Sequence, residues 1–310
     1  MIKTIATILV SVFALAQTSL AQNAESQKNP PRLIIRCDDI GFCHGVNMAF
    51  KRAAEKGTVT SASVIVNTPW LDEAVEILKQ HPEISVGIHL ALNSEWKEYK
   101  WGPVSPYDQV PTLVDSFGKF YGSRKELFSH KPKLSEVAKE LRAQINLAKQ
   151  KGLNVSYIDN HMGAAISTLE FQEEMEKIAK EFNIGISRYF DEVEVPLVYS
   201  TPPENKLSQA LKNLSTITNS GLYLLVCHIG TDEPEMQAMT DLNTFGLPNM
   251  SKHRQAEADV LCSLEYKSAL QSKGIRLVGY KELKEIGLDK MKRPFVSDKY
   301  DDVVKKALEK

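Results

Sequence analysis

The sequence predicts a single-domain α/β fold on a parallel sheet, and three observations carry that reading. Short apolar runs rich in β-branched residues alternate with helix-period stretches along most of the 310 residues. No internal repeat or low-complexity linker divides the chain. Polar residues that packing does not explain fall at the ends of several predicted strands. The alternation alone fits an open doubly wound sheet or a barrel. The third observation favours a (β/α) barrel, distorted or incomplete, because barrels gather working residues at the C-terminal ends of their strands.

The elements follow in order. "LIIRC" (33–37) is a strand leading into a helix over 46–56 that stops at Gly57. "TSASVIV" (60–66) is a strand, 71–81 a helix with its apolar residues on one face, and "ISVGIHLAL" (84–92) a third strand. After a long loop, 134–152 reads as a helix capped near Ser135 and closed by Gly152. Strand 154–159, helix 169–182 and strands 184–188 and 194–199 come next. A helix over 204–221, the apolar strand "LYLLVCH" (222–228), a long helix over 252–274, strand 275–280 and a short helix over 281–287 complete the domain. The stretch 288–310 is charged and reads as a surface helix or tail.

Composition narrows the function classes. Hydrophobic residues at 43% supply an ordinary core, and a net charge of −1 without a long basic run argues against a nucleic-acid partner. Lys3, the apolar "TIATILVSVFALA" and the small residues of "SLA" predict a signal peptide cleaved after Ala21. The apolar run is shorter than the roughly 20 residues of a membrane span. The mature chain is therefore expected in the periplasm or outside the cell, with no membrane span. Of the four cysteines, Cys37 and Cys227 should be free and buried, since strand alternation points them away from the polar residues that follow them.

Those residues are Asp38-Asp39 after "LIIRC", His89 in "VGIHL", Asp159 and His161 in "SYIDNHMG", and His228 in "LLVCHIG". Side-by-side carboxylates repel unless something positive lies between them. One aspartate and two histidines around an open position form a common catalytic divalent-metal site. The turn at Gly41 would bring both carboxylates to one pocket, one to bind metal and one to accept a proton. Each piece has an ordinary alternative: a helix cap for the aspartates, a core position for the strand histidines, an Asx turn for "DNH". Recurrence at successive strand ends outweighs them. His81 and His130 read as solvated, His253 stays ambiguous, and His44 could line the mouth of the site.

"CDDIGFCHGVNMAFKRAAEKGTVTSASVIVNTPW", "HPEISVGIHLAL" and "YIDNHMG" together resemble the YdjC family of carbohydrate deacetylases, also called ChbG/HpnK, from about Pro31 to Gly287. That family is similar to NodB-type polysaccharide deacetylases in its distorted (β/α) barrel and Asp-His-His metal site. The resemblance implies Asp39, His89 and His161 as metal ligands and Asp38 as general base. It implies His228 as the group that protonates the leaving amine or holds the acyl product. Arg254, in "KHRQAEADVL", becomes a candidate to orient Asp38 or substrate, and Asp159 a candidate for support or substrate contact. Two departures stand out: "DNHMGAA" lacks the later histidines many members carry, and "HIG" replaces "HPG".

The implied activity is metal-dependent hydrolysis of N-acetyl groups on amino-sugar oligosaccharides, by water that the metal activates and Asp38 deprotonates. The family points to Mg2+, whereas two imidazoles and a carboxylate suit Zn2+ or another transition metal. A metal-dependent sugar esterase or phosphoesterase, or a non-catalytic sugar-binding barrel, are the rivals. The insert 93–111 carries Trp96, Tyr99, Trp101 and Tyr107, which would serve either as a sugar platform, Trp101 foremost, or as a self-packed lid. A homo-oligomer is compatible with this reading.

Overall fold

A computed structural model describes residues 29–218 and 220–294; the expected leader at 1–21 and most of the charged C-terminal stretch lie outside the described residues. Eight strands form one parallel sheet: β1 (Arg32–Ile40), β2 (Ser61–Val64), β3 (Ser85–Leu90), β4 (Val155–Asn160), β5 (Gly185–Ile186), β6 (Val193–Glu194), β7 (Leu222–Cys227) and β8 (Arg276–Leu277). Their order is β5-β4-β3-β2-β1-β7-β6, and β8 pairs with Arg32 and Leu33 of β1. Among the described residues no ladder joins β5 to β6, so the curled sheet is an incomplete barrel.

The helices are α1 (His44–Lys56), α2 (Leu71–Gln80), α3 (Arg124–Ser129), α4 (Leu134–Gln150), α5 (Leu169–Phe182), α6 (Lys206–Asn213), α7 (Pro234–Gln237), α8 (Met250–Cys262), α9 (Leu264–Ser272) and α10 (Tyr280–Ile286). The helix expected over 252–274 breaks at Ser263, whose side chain caps α9 by accepting from the Tyr266 amide. The helix expected over 204–221 shortens to α6 and a 3-10 turn at Leu214–Thr216. Ser135 does not cap α4; Lys133 stands at that position, without a side-chain cap bond. The strand expected over 194–199 reduces to β6, because Pro196 has no N–H to extend a ladder.

Period-two alternation sorts the strand residues into two cores. Leu33, Ile35 and Cys37 of β1 pack in the larger core with Val46, Ala49 and Phe50 of α1. Ile34 belongs instead to a small cluster with Tyr157, Leu222, Leu224, Val226, Tyr280 and Leu283. That cluster fills the lower part of the barrel. Gly87 on β3 leaves the room Tyr157 occupies: a Cβ there would lie 2.2 Å from its ring. Above the cluster the same inward rows turn polar, with Arg36 and Asp38 on β1, His89 on β3 and Asp159 on β4.

The insert after β3 is held by the buried face of α4. Glu140 accepts from the Val104 and Ser105 amides, Glu136 from Thr112, and Gln144 from the Ala91 amide. These bonds fix the insert as a wall of the barrel mouth.

Candidate active site

The two aspartates of β1 need a break in strand geometry to share a pocket. Asp39 provides it, with φ of 65° in the left-handed region. A non-glycine residue there costs on the order of 1–2 kcal/mol, least for Asp and Asn. The β1–β2 register shifts across the same stretch, between Cys37 and Ile40. The reorientation expected at Gly41 therefore happens two residues earlier, at the aspartate itself.

Asp39 Oδ1 lies 3.6 Å from His89 Nε2 and 3.4 Å from His161 Nδ1. The remaining nitrogen of each imidazole meets a buried carboxylate. His89 Nδ1 is 3.0 Å from Asp159 Oδ1, and His161 Nε2 is 2.8 Å from Glu95 Oε2. A carboxylate only accepts, so those nitrogens carry protons, and the two facing Asp39 are the ones a cation would take once any proton there has left. His161 follows β4 directly, and the chain then turns through left-handed Met162 and Gly163.

Arg36 stitches the site from below. Its Nε and Nη2 donate to the two oxygens of Asp38, each at 2.7 Å. Nη1 donates to Ser187 Oγ at 2.6 Å and lies 3.0 Å from Asp159 Oδ2. Ser63 Oγ also donates to Asp159 Oδ2 at 3.0 Å. Burial opposes ionisation of Asp159, but Arg36 and His89 overcome it and bring its pKa down to about 2. Burial likewise opposes the charge on Asp39, and Arg254 with His161 holds that carboxyl well below the usual range. His161 is pushed the other way, up to about 10, because Glu95 and Asp39 outweigh the burial that resists its charge. Asp159 and Asp38 raise His89 in the same manner against burial.

Two triads bring ligand atoms within 4.8 Å of one another: Asp39, His89 and His161, or Asp38, His89 and Asp159. Their hydrogen bonds separate them. Every oxygen of Asp38 and Asp159 is engaged by Arg36, Ser63 or His89. Asp39 Oδ1 is buried with no hydrogen-bond partner. An orphaned carboxylate oxygen between two imidazole nitrogens fits a divalent cation and is costly without one. The first triad fits a metal; the second is its support.

The other expected residues divide. Arg254 on α8 does not touch Asp38; its Nη2 donates to Asp39 Oδ2 at 2.7 Å, and its guanidinium lies over Phe42 and Trp96. His228 is half-buried at the end of β7, in edge contact with Tyr199, and its amide donates to Glu257 Oε2 at 2.9 Å. His44 does not line the mouth: it pairs with Glu73 and tilts against Trp70. Trp101 is 3% exposed, packed edge-on against Phe42 and His161, which makes it part of the wall rather than an open platform. All four cysteines are free, Cys37 and Cys227 among them in the larger core.

Arg36 and Glu95 escaped the sequence reading. Arg36 had a signal, since its spacing from Asp38 puts both on one face of a strand. Glu95 had none, because it sits in an irregular insert.

These groups open on a cavity of about 490 Å³, lined among others by Asp38, Asp39, His89, His161, His228 and Arg254. The size suits a small-molecule site. Residues 32–272 match the family model described as YdjC-like protein. The carbohydrate deacetylase of Brevibacillus brevis is 30% identical over 272 residues, covering 81% of this chain and 99% of the relative. That of Oceanobacillus iheyensis is 32% identical over 252 residues, covering 76% and 97%. A solved Enterococcus faecalis structure, assigned to cellobiose-phosphate cleavage, shares the fold with a TM-score of 0.68 at 24% identity, covering 82% of this chain and 98% of that one.

Proposed function

Because this chain belongs to the YdjC-like protein family, we propose that it is an exported, metal-dependent carbohydrate deacetylase that hydrolyses N-acetyl groups of amino-sugar oligosaccharides. The relatives' carbohydrate deacetylase names support the substrate class. The observation that carries the chemistry is Asp39 Oδ1, buried and unpartnered, between His89 Nε2 and His161 Nδ1. Asp39, His89 and His161 would hold the ion. A divalent cation there supplies Lewis-acid polarisation of the acetyl carbonyl and acidifies water.

The rest is work for side chains. Asp38 accepts the proton of the attacking water while Arg36 keeps its carboxylate in one orientation. The water oxygen bonds to the acetyl carbon, the C–N bond breaks, and His228 delivers a proton to the departing nitrogen. Acetate and a free amino sugar leave. Asp159 and Glu95 fix the two imidazoles, and Arg254 fixes Asp39. The donor set of one carboxylate and two imidazoles favours a transition metal such as Zn2+, while the family resemblance points to Mg2+. Export rests on the leader, with Gln22 as the mature N-terminus.

The test is acetate release from N-acetyl chitooligosaccharides by metal-stripped protein, with Mg2+, Zn2+, Co2+ and Ni2+ restored singly. At least one ion should restore release. Silence with every ion refutes the reading, and turnover confined to sugar esters or phosphodiesters reassigns the bond. N-terminal sequencing of protein from a culture's extracytoplasmic fraction checks the export.

A further inference from the structure

The sequence leaves open which aromatic residue meets the sugar, and the candidates in the insert are largely spent on packing. Trp96 is 2% and Trp101 3% exposed, and the Tyr99 hydroxyl donates to the Phe42 carbonyl. Tyr107 is exposed but lies outside the lining of the active-site cavity. Of the aromatic rings that line the cavity, Trp96 is buried and Tyr199 contacts His228. Phe245 is different: it lines the cavity yet is 61% exposed, and Leu197, which also lines it, is 49% exposed.

An apolar ring at a wet rim is ordinarily a mobile loop residue. This one is held. The segment carrying it is bound to the insert by the Trp96–Asp241 bridge, by Lys97 N to Thr240 O at 2.9 Å, and by Leu242 N to Glu95 O at 2.9 Å. Asp241 Oδ1 accepts from the amide and side chain of Asn243, and Gly246 N donates to Asn243 O at 3.0 Å. Gly246 passes so close to Asp241 that a Cβ would sit 2.7 Å from the Asp241 Cβ. The turn is therefore fixed to the strip whose Glu95 orients His161. A pre-organised apolar face at a cavity mouth has lost its ordering cost before any ligand arrives.

Resting on the deacetylase reading, we propose that Phe245 is the stacking platform for a second sugar ring, next to the one whose acetamido group enters the site. The enzyme then selects amino-sugar oligosaccharides of two or more rings over the monosaccharide. Pyranose C–H faces pack on Phe245, while Asp241 on the same wall accepts from sugar hydroxyls.

The experiment compares wild type, Phe245→Ala and Phe245→Trp on N-acetylglucosamine and its N-acetylated β-1,4-linked dimer and trimer, with the activating ion present. Phe245→Ala should raise KM for dimer and trimer by about tenfold with kcat within about twofold. The monosaccharide should be unaffected, and Phe245→Trp should restore KM. Calorimetric binding of the trimer to metal-free protein gives a second readout, weaker in Phe245→Ala by the same factor. Unchanged KM and affinity in Phe245→Ala overturn the platform while leaving the deacetylase reading standing. A wild type that binds the trimer through Phe245 but releases no acetate upholds the platform and sinks the deacetylase reading. A wild type that neither binds nor turns over sinks both.

Discussion

Arg36 and Asp38 stand two residues apart on β1, on the same face, joined by two hydrogen bonds of 2.7 Å that match the guanidinium fork to both carboxylate oxygens. A third nitrogen of Arg36 reaches Asp159, which in turn holds His89. One buried cation thus orients the proposed base, Asp38, and through Asp159 one proposed metal ligand, His89. Lysine supplies the charge without the fork. Arg36→Lys should keep its metal and lose about tenfold or more in kcat. Arg36→Met strips Asp38 of its buried partner and leaves Asp159 only His89 and Ser63, and should cost about 3–5 kcal/mol in denaturant unfolding. An Arg36→Lys enzyme with wild-type kcat would refute the positioning role.

Asp38→Asn keeps the shape of the side chain and removes its ability to take a proton. Bound metal, measured by elemental analysis, should match the wild type, while turnover falls by at least about a hundredfold. Full activity would exclude Asp38 as the base.

Asp39→Ala removes the orphaned oxygen between the imidazoles and also frees Arg254. Metal content should fall to background, and chelator-treated wild type should show the same lack of turnover. In the wild type, added ion should raise Tm in a concentration-dependent way; in Asp39→Ala it should not.

His161 gives a pH signature. Its folded pKa, about 10, lies above the ordinary 6.5. Its charged form therefore stabilises the metal-free protein fully below pH 6.5, and that contribution fades as pH rises toward 10. Ion loading needs the neutral ring, so affinity should move oppositely and strengthen over the same range. At pH 8 loading should release about one proton or more per ion. Titration calorimetry in buffers of different ionisation enthalpy reads this directly, and loading without proton release would contradict it.

Trp101→Ala separates wall from platform. The buried ring packs on Phe42 and His161, so the substitution should cost about 3–5 kcal/mol of stability. KM for the dimer should stay unchanged at a temperature where the variant is folded. A raised KM at full stability would restore Trp101 as a sugar contact.

Much of the site was legible as strand parity. Alternation from Ile34 puts Arg36 and Asp38 on the inner row, and the same count from Tyr157 reaches Asp159. The identical rule turned Cys37 outward into the larger core. Boundaries were less legible where capping decided them, as at Ser263, which splits one helical pattern into α8 and α9.

By itself, the sequence determined the alternation of strands and helices, the polar strand ends and the inward parity of Arg36, Asp38, His89 and Asp159, because side-chain direction in a strand has period two. Only the tertiary structure decided that Asp39 joins them, through a left-handed backbone that breaks this parity. It alone brought Glu95 from the insert to His161 and Arg254 from α8 to Asp39. Those partners lie 66 and 215 residues away along the chain, and nothing local in the sequence encodes a contact made across the mouth of a barrel.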